Sequence, residues 1–193
     1  MEKMKLKYLY ADLKSDLDII EKELELAVNS SSHLLNDASL HLLQAGGKRI
    51  RPVFVLLGAK FGNFSIEQMK KIAVPLELIH MASLVHDDVI DNSDMRRGRK
   101  TVKAEWNNRV AMYAGDFIFA RALQAVTEIE DPRAHQILAR TMVEICNGEV
   151  IQIEDKFRLN QTIKDYFRRI KRKTALLIES SCELGAVVSG ASE

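Results

Sequence analysis

Three aspartates, Asp87, Asp88 and Asp91, close a long apolar stretch that includes Ile72, Val74, Leu76, Leu78, Ile79, Met81, Leu84 and Val85. On a helix, Asp87 and Asp91 lie one turn apart and share a face. Like charges there repel, and a helix C-terminus is the negative end of the dipole. A bound cation removes both penalties. Mg²⁺ suits the set best, because it takes oxygen ligands and bridges one or two carboxylates to substrate phosphates. Zinc prefers His or Cys. The plainer alternative is a solvated acidic helix end fading into a loop. Asp94, just beyond, reads as ordinary loop charge.

Basic groups flank this cluster on both sides. Gly46-Gly47-Lys48-Arg49-Ile50-Arg51-Pro52 ends one helix and opens another. A helix N-terminus offers free N–H groups and positive dipole, so Lys48 and Arg51 at its start suit a diphosphate. Without an anion, cations there are unfavourable, and a basic helix start with no ligand is the competing reading. The spacing is not that of a Walker loop. Arg96-Arg97-Gly98-Arg99 follows the aspartates directly. Arginine forks bind phosphate, or they serve as a salt-bridge rim for the acids. A third basic run, Arg168 to Lys173, is mostly a solvated helical face. Only at Lys173-Thr174 does the pattern turn apolar and inward. Acid cluster, cation and separate basic sites together describe a pocket for two diphosphates. No nucleophile–base arrangement for covalent catalysis is evident.

The elements that must position these groups are helices. Only three prolines and nine glycines punctuate the 193 residues. Apolar periodicity predicts helices over about Lys5–Val28, His33–Ala45, Arg49–Phe61, a run after Ser65 to Asp91 kinked at Pro75, Arg109–Ile129, Pro132–Asp155, and Thr162 through to the end at Glu193. In the first, Leu6, Leu9, Leu13, Leu17, Ile20, Leu24 and Val28 face inward. A polar loop, Asn92–Lys100, separates the fourth from the fifth. No strand is expected. The class is all-α, an antiparallel bundle in one domain.

Bulk properties narrow the function. Lys plus Arg number 28 and Asp plus Glu 27, for a net charge of +1. That excludes a generic nucleic-acid binder. No run of about 18 apolar residues exists, so no transmembrane helix is expected. Cys146 and Cys182 form no Cys-x-x-Cys pair and read as buried, reduced thiols of a cytoplasmic protein.

Gly-Gly-Lys-Arg-x-Arg-Pro, then His80 and Asp-Asp-x-x-Asp, then Arg-Arg-Gly, then Lys-Thr, in this order and spacing, resembles the trans-isoprenyl diphosphate synthases. The likeness spans essentially the whole chain and is greatest to the catalytic subunit of the heptaprenyl type. It implies an isoprenoid-synthase bundle and an Mg²⁺-dependent condensation of isopentenyl diphosphate with an allylic diphosphate. The product would be a long all-trans polyprenyl diphosphate, longer than farnesyl and of the heptaprenyl type, for a quinone side chain. By position, Asp87, Asp88 and Asp91 would hold the metal. Lys48, Arg51, His80 and Arg97 would hold isopentenyl diphosphate. Arg96, Lys173, Thr174 and Gln152 would contact the allylic diphosphate. Small Ala82 and Ser83, with Ile79 behind them, imply an open product tunnel, although close helix packing explains them too. A homodimer, or a heteromer with a small non-catalytic subunit, is implied as well.

The family's second Asp-rich motif is missing: after Lys173-Thr174 the only acids are Glu179, Glu183 and Glu193. The expectation is a partial domain over residues 1–193, truncated or fragmentary, lacking the C-terminal helices. It would expose apolar surface that those helices cover. A non-catalytic subunit that keeps diphosphate binding is the alternative.

Overall fold

The computed structural model describes residues 10–192. Among these the helices are α1 (Lys14–Ala27), α2 (His33–Gln44), α3 (Ile50–Ala59), α4 (Ile66–Ile90), α5 (Val102–Glu105), α6 (Asn108–Val126), α7 (Pro132–Glu154), α8 (Ile163–Ile170) and α9 (Leu176–Val188). The class is all-α, as periodicity predicts. The start of the first predicted helix, with Lys5, Leu6 and Leu9, lies outside the described residues. Leu13, Ile20, Leu24 and Val28 are buried as expected.

Helix starts are set by capping side chains. Ser32, Thr101, Asn107 and Asp131 each accept a hydrogen bond from a backbone N–H of the turn they open. Pro132 occupies the first turn of α7, where its missing N–H costs nothing. Thr162 and Asp165 form a reciprocal capping box at α8.

α4 is the central element. It runs unbroken through Pro75, and every residue from Ile72 to Ile79 is buried. Such all-round burial marks a core helix rather than an amphipathic surface one. Its most extensive neighbour is α6, and α1 and α3 also pack on it. α3 and α9 meet backbone to backbone: a Cβ on Gly58 would lie 2.3 Å from the Cys182 carbonyl oxygen, and one on Gly185 would lie 2.2 Å from that of Val55.

Three expectations are corrected. The segment Asn92–Lys100 is not all loop. Met95–Arg96 (β1) and Arg99–Lys100 (β2) pair antiparallel, with Met95 opposite Lys100 and Arg96 opposite Arg99. Arg97 (φ 52°) and Gly98 (φ 78°) make the turn, with the positive φ at both central positions that a type I′ hairpin requires. The last helix does not run on to Glu193. A π-helical turn, Lys171–Ala175, joins α8 to α9, and α9 stops at Ser189 with Gly190 at φ 71°. The cysteines are not both buried: Cys146 is exposed and Cys182 half-buried. Cys146 lies on a face of α7 that no described helix covers, and periodicity alone does not reveal which faces find partners.

No helix among the described residues is long and apolar enough to cross a membrane. Large apolar side chains stand exposed near the α7–α8 junction, among them Val150, Ile153, Phe157, Leu159, Ile163 and Phe167.

Candidate functional site

The C-terminal end of α4, the α2–α3 turn and the β1–β2 hairpin converge. His80 and Asp87 are seven residues apart on α4, or about 10 Å along the axis. On either side of this span lies a pocket.

The first pocket, about 390 Å³, is lined by Gly47, Lys48, Arg49, Ile50, Arg51, Glu77, His80 and Arg97. The four residues that the family resemblance assigns to isopentenyl diphosphate, Lys48, Arg51, His80 and Arg97, therefore sit together. Gly47 must lack a side chain here: an added Cβ would come 2.7 Å from the Arg97 guanidinium. Burial and the neighbouring Arg97 charge pull the Arg51 pKa down, against Glu77. Arg97 is likewise lowered by burial and by Arg49. Burial, then Arg51, Arg97, Arg96 and Arg49, push His80 down to about 3. His80 is therefore a neutral imidazole, able to donate one hydrogen bond. Arg51 Nε is buried without a hydrogen-bond partner. Crowded guanidiniums and an unspent buried donor are the electrostatic signature of an anion site.

The second pocket, about 540 Å³, is lined by Asp87, Ile90, Asp91, Glu149, Gln152, Ile153, Asp155, Lys156, Phe157, Gln161 and Arg169. Gln152 joins Asp87 and Asp91 there. Burial raises the Asp87 pKa, and Glu149 and Asp91 raise it further against Lys173. Lys173 Nζ stands 3.7 Å from Asp87 and 3.2 Å from Glu149. It sits in the π turn, a local widening of the helix often found at functional sites. Thr174, the next residue, is exposed and not inward-facing as the apolar turn of the pattern suggests, because the π turn rotates it out toward solvent.

The three aspartates do not act alike. Asp88 is buried and paired with Arg96, whose Nε lies 3.0 Å from both carboxylate oxygens and whose Nη2 lies 2.8 Å from Oδ1. The salt-bridge reading of Arg96 is thus realised with Asp88, while Asp87 and Asp91 face the open pocket. No group of three or more His, Cys, Asp or Glu side chains among the described residues is gathered to ligate one ion. The donor set still fits a hard cation. The acids Asp87, Asp91 and Glu149 and the amide of Gln152 are oxygen ligands, and no thiol or imidazole lines the pocket.

The hairpin assigns its two arginines to different sites. Arg96 turns to Asp88, and Arg97, in the left-handed turn, reaches the first pocket. Of the chain-length candidates, Ile79 and Ala82 are buried. Ser83 is half-buried, its hydroxyl donating to the His80 carbonyl at 2.8 Å.

Sequence reasoning missed Glu149 and Glu77. Both partner a basic residue across two elements, so no local motif shows them. The neighbouring Gly148, against whose Cα side Arg172 packs closely, is the only local hint at the α7–π-turn contact.

The polyprenyl synthetase sequence pattern matches residues 32–193. Heptaprenyl diphosphate synthase component 2 of Geobacillus stearothermophilus is 62% identical over 190 residues, 98% of this chain and 59% of that protein. The crystal structure of heptaprenyl diphosphate synthase from Staphylococcus aureus superposes with a TM-score of 0.91 at 46% identity, covering 94% of this chain and 57% of that one. That of a polyprenyl synthase from Caulobacter crescentus CB15, complexed with calcium and isoprenyl diphosphate, gives 0.94 at 32% identity, covering 100% and 58%. The chain therefore spans a little under three-fifths of these relatives. A helical bundle with two pockets at the end of one buried helix, joined to these likenesses, places the chain in the polyprenyl synthetase family.

Proposed function

We propose that this chain carries the isopentenyl diphosphate site and the first metal-binding site of an Mg²⁺-dependent trans-polyprenyl diphosphate synthase of the heptaprenyl type. The observation that carries the proposal is the meeting of Lys48, Arg51, His80 and Arg97 in one pocket next to the acidic end of α4. The Geobacillus relative's name, component 2, supports a partner subunit.

Lys48, Arg51 and Arg97 neutralise the diphosphate of isopentenyl diphosphate, and neutral His80 donates to it. Asp87 and Asp91, with Glu149 and Gln152 beside them, would hold Mg²⁺. When bound, the ion neutralises the allylic diphosphate and the charge developing on its leaving oxygen. Lys173, anchored by Glu149 and Asp87, adds a second positive charge at the same place. As the C–O bond of the allylic diphosphate breaks, the double bond of isopentenyl diphosphate attacks the allylic carbon. A proton is then lost, and the released diphosphate is a base close enough to take it. The apolar side chains of α4 keep water from the cation.

The test is incubation with radiolabelled isopentenyl diphosphate, an allylic primer and Mg²⁺, with and without candidate small subunits. Long-chain product under any combination is the expected result. Binding without product under every combination favours the alternative, a non-catalytic subunit that retains diphosphate binding.

A further inference from the structure

Arg49 stands between Lys48 and Arg51 in the basic turn, so position alone would make it a third hand on the diphosphate. Its surroundings say otherwise. Its guanidinium is already engaged by protein: Nε and Nη2 donate to the two oxygens of Glu21 at 2.7 and 2.6 Å, and Nη1 donates to Glu77 at 3.3 Å. Nη2 also reaches the Leu43 carbonyl at 3.4 Å. The side chain is 12% exposed. A forked pair of this kind is the strongest geometry open to an arginine.

The backbone points the same way. Arg49 has φ 44°, a left-handed conformation that a non-glycine residue holds only when its surroundings fix it. This residue is the N-cap of α3. Its conformation sets the direction from which Lys48 approaches the helix and in which Arg51 enters it. The turn is also held from α1's side by the Tyr10 hydroxyl, which donates to the Lys48 carbonyl. From below, Glu77 is 3% exposed, and its Oε2 has no hydrogen-bond partner. Glu77 is the one acid lining a pocket that holds Lys48, Arg49, Arg51 and Arg97.

We propose that Arg49 is a positioning residue, not a ligand: clamped by Glu21 of α1 and Glu77 of α4, it fixes the turn that aims Lys48 and Arg51 at the diphosphate. The proposal rests on the isopentenyl diphosphate reading above. It assigns a role to two acids in or behind an anion site, where simple charge counting makes them harmful. Without them, four cations would stand together with nothing to hold them apart in a fixed geometry.

The two accounts differ in sign. If Arg49 were a ligand, removing Glu21 or Glu77 would free its guanidinium and tighten diphosphate binding. If Arg49 is a clamp, removing either acid loosens the turn and weakens binding. Isopentenyl diphosphate is titrated calorimetrically into the chain, its Glu21→Gln, Glu77→Gln and Arg49→Met variants and the double variant Arg49→Met/Glu77→Gln. Lys48→Ala is the ligand control, and melting midpoints are followed in parallel. Glu21 is 39% exposed, so Glu21→Gln retains the fold even where a change at buried Glu77 does not. The expected result is about tenfold weaker binding in Glu21→Gln, Glu77→Gln and Arg49→Met, with the double variant no weaker than Arg49→Met alone. Tighter or unchanged binding in Glu21→Gln overturns the proposal. If the unaltered chain binds and Lys48→Ala does not, such a result sinks the clamp and leaves the substrate reading standing. No saturable binding by the unaltered chain overturns both.

Discussion

His80 carries the most perturbed titration of the candidate site. Burial and four arginines hold its pKa near 3, against 6.5 for a free side chain. A group whose folded pKa lies below its unfolded value binds fewer protons when folded. Its contribution to stability is therefore full above about pH 6.5 and declines as pH falls toward 3. At pH 5 the loss is at most about 2 kcal/mol, from 1.5 pH units at about 1.4 kcal/mol each. His80→Gln keeps a hydrogen-bond donor and removes the titration. Its unfolding free energy, measured by urea titration, should change less between pH 7 and 5 than that of the unaltered chain. Equal slopes in the two proteins would mean that His80 is not held neutral. At this scale much of the site was legible. Lys48, Arg51 and Arg97 each stand at a glycine turn or a helix end, so spacing marks them, whereas His80, inside α4, is marked only by the family resemblance. Glu77 and Glu149 were not legible, because each matters only through a cation on another element. Asp88 looked like its two neighbours in sequence, and only the hairpin reveals that it faces Arg96.

Elements explain why those residues meet. Periodicity locates α2, α4 and α7 to within a residue or two, because their apolar faces are long and their caps are marked by Ser32, Ser65 and Asp131. It does not show the hairpin, since a two-residue ladder has no period and Arg97 in a left-handed turn is not a usual turn residue. Nor does it show the π turn, where one residue in excess leaves the apolar pattern nearly intact. α3 and α9 meet backbone to backbone at Gly58 and Gly185. That contact places the helix that follows the Lys48–Arg49 turn against the helix that follows Lys173, and so ties the two halves of the candidate site together. Gly185→Ala puts a methyl group 2.2 Å from the Val55 carbonyl oxygen, which only a shift of the helix axes relieves. Overpacking of this kind costs about 1–3 kcal/mol. Chemical denaturation should show that loss, together with weaker isopentenyl diphosphate binding. A variant as stable as the parent would show that α3 and α9 are free to separate.

At the scale of the whole molecule, the proposed function would make product length depend on how far α4 reaches below the acidic end. The helix has 25 residues, about 37 Å at 1.5 Å each, so the scaffold is deep enough for a long chain to lie beside it. What would limit the product on that proposal is the bulk of side chains one and two turns before Asp87. Ala82 is 1% exposed, so Phe at that position collides with packed neighbours and loses stability whether or not a tunnel runs there. Ser83 is half-buried and carries only a local hydrogen bond to His80, which makes it the better probe. In the complete synthase, with whatever partner subunit activity requires, Ser83→Phe should shift the products toward shorter polyprenyl diphosphates. Its melting midpoint should stay close to that of the parent. Thin-layer analysis of the dephosphorylated products reads the outcome directly. Unchanged product length in a stably folded Ser83→Phe protein would place the growing chain elsewhere, and Ala82 and Ser83 would then be small only to let α4 pack closely.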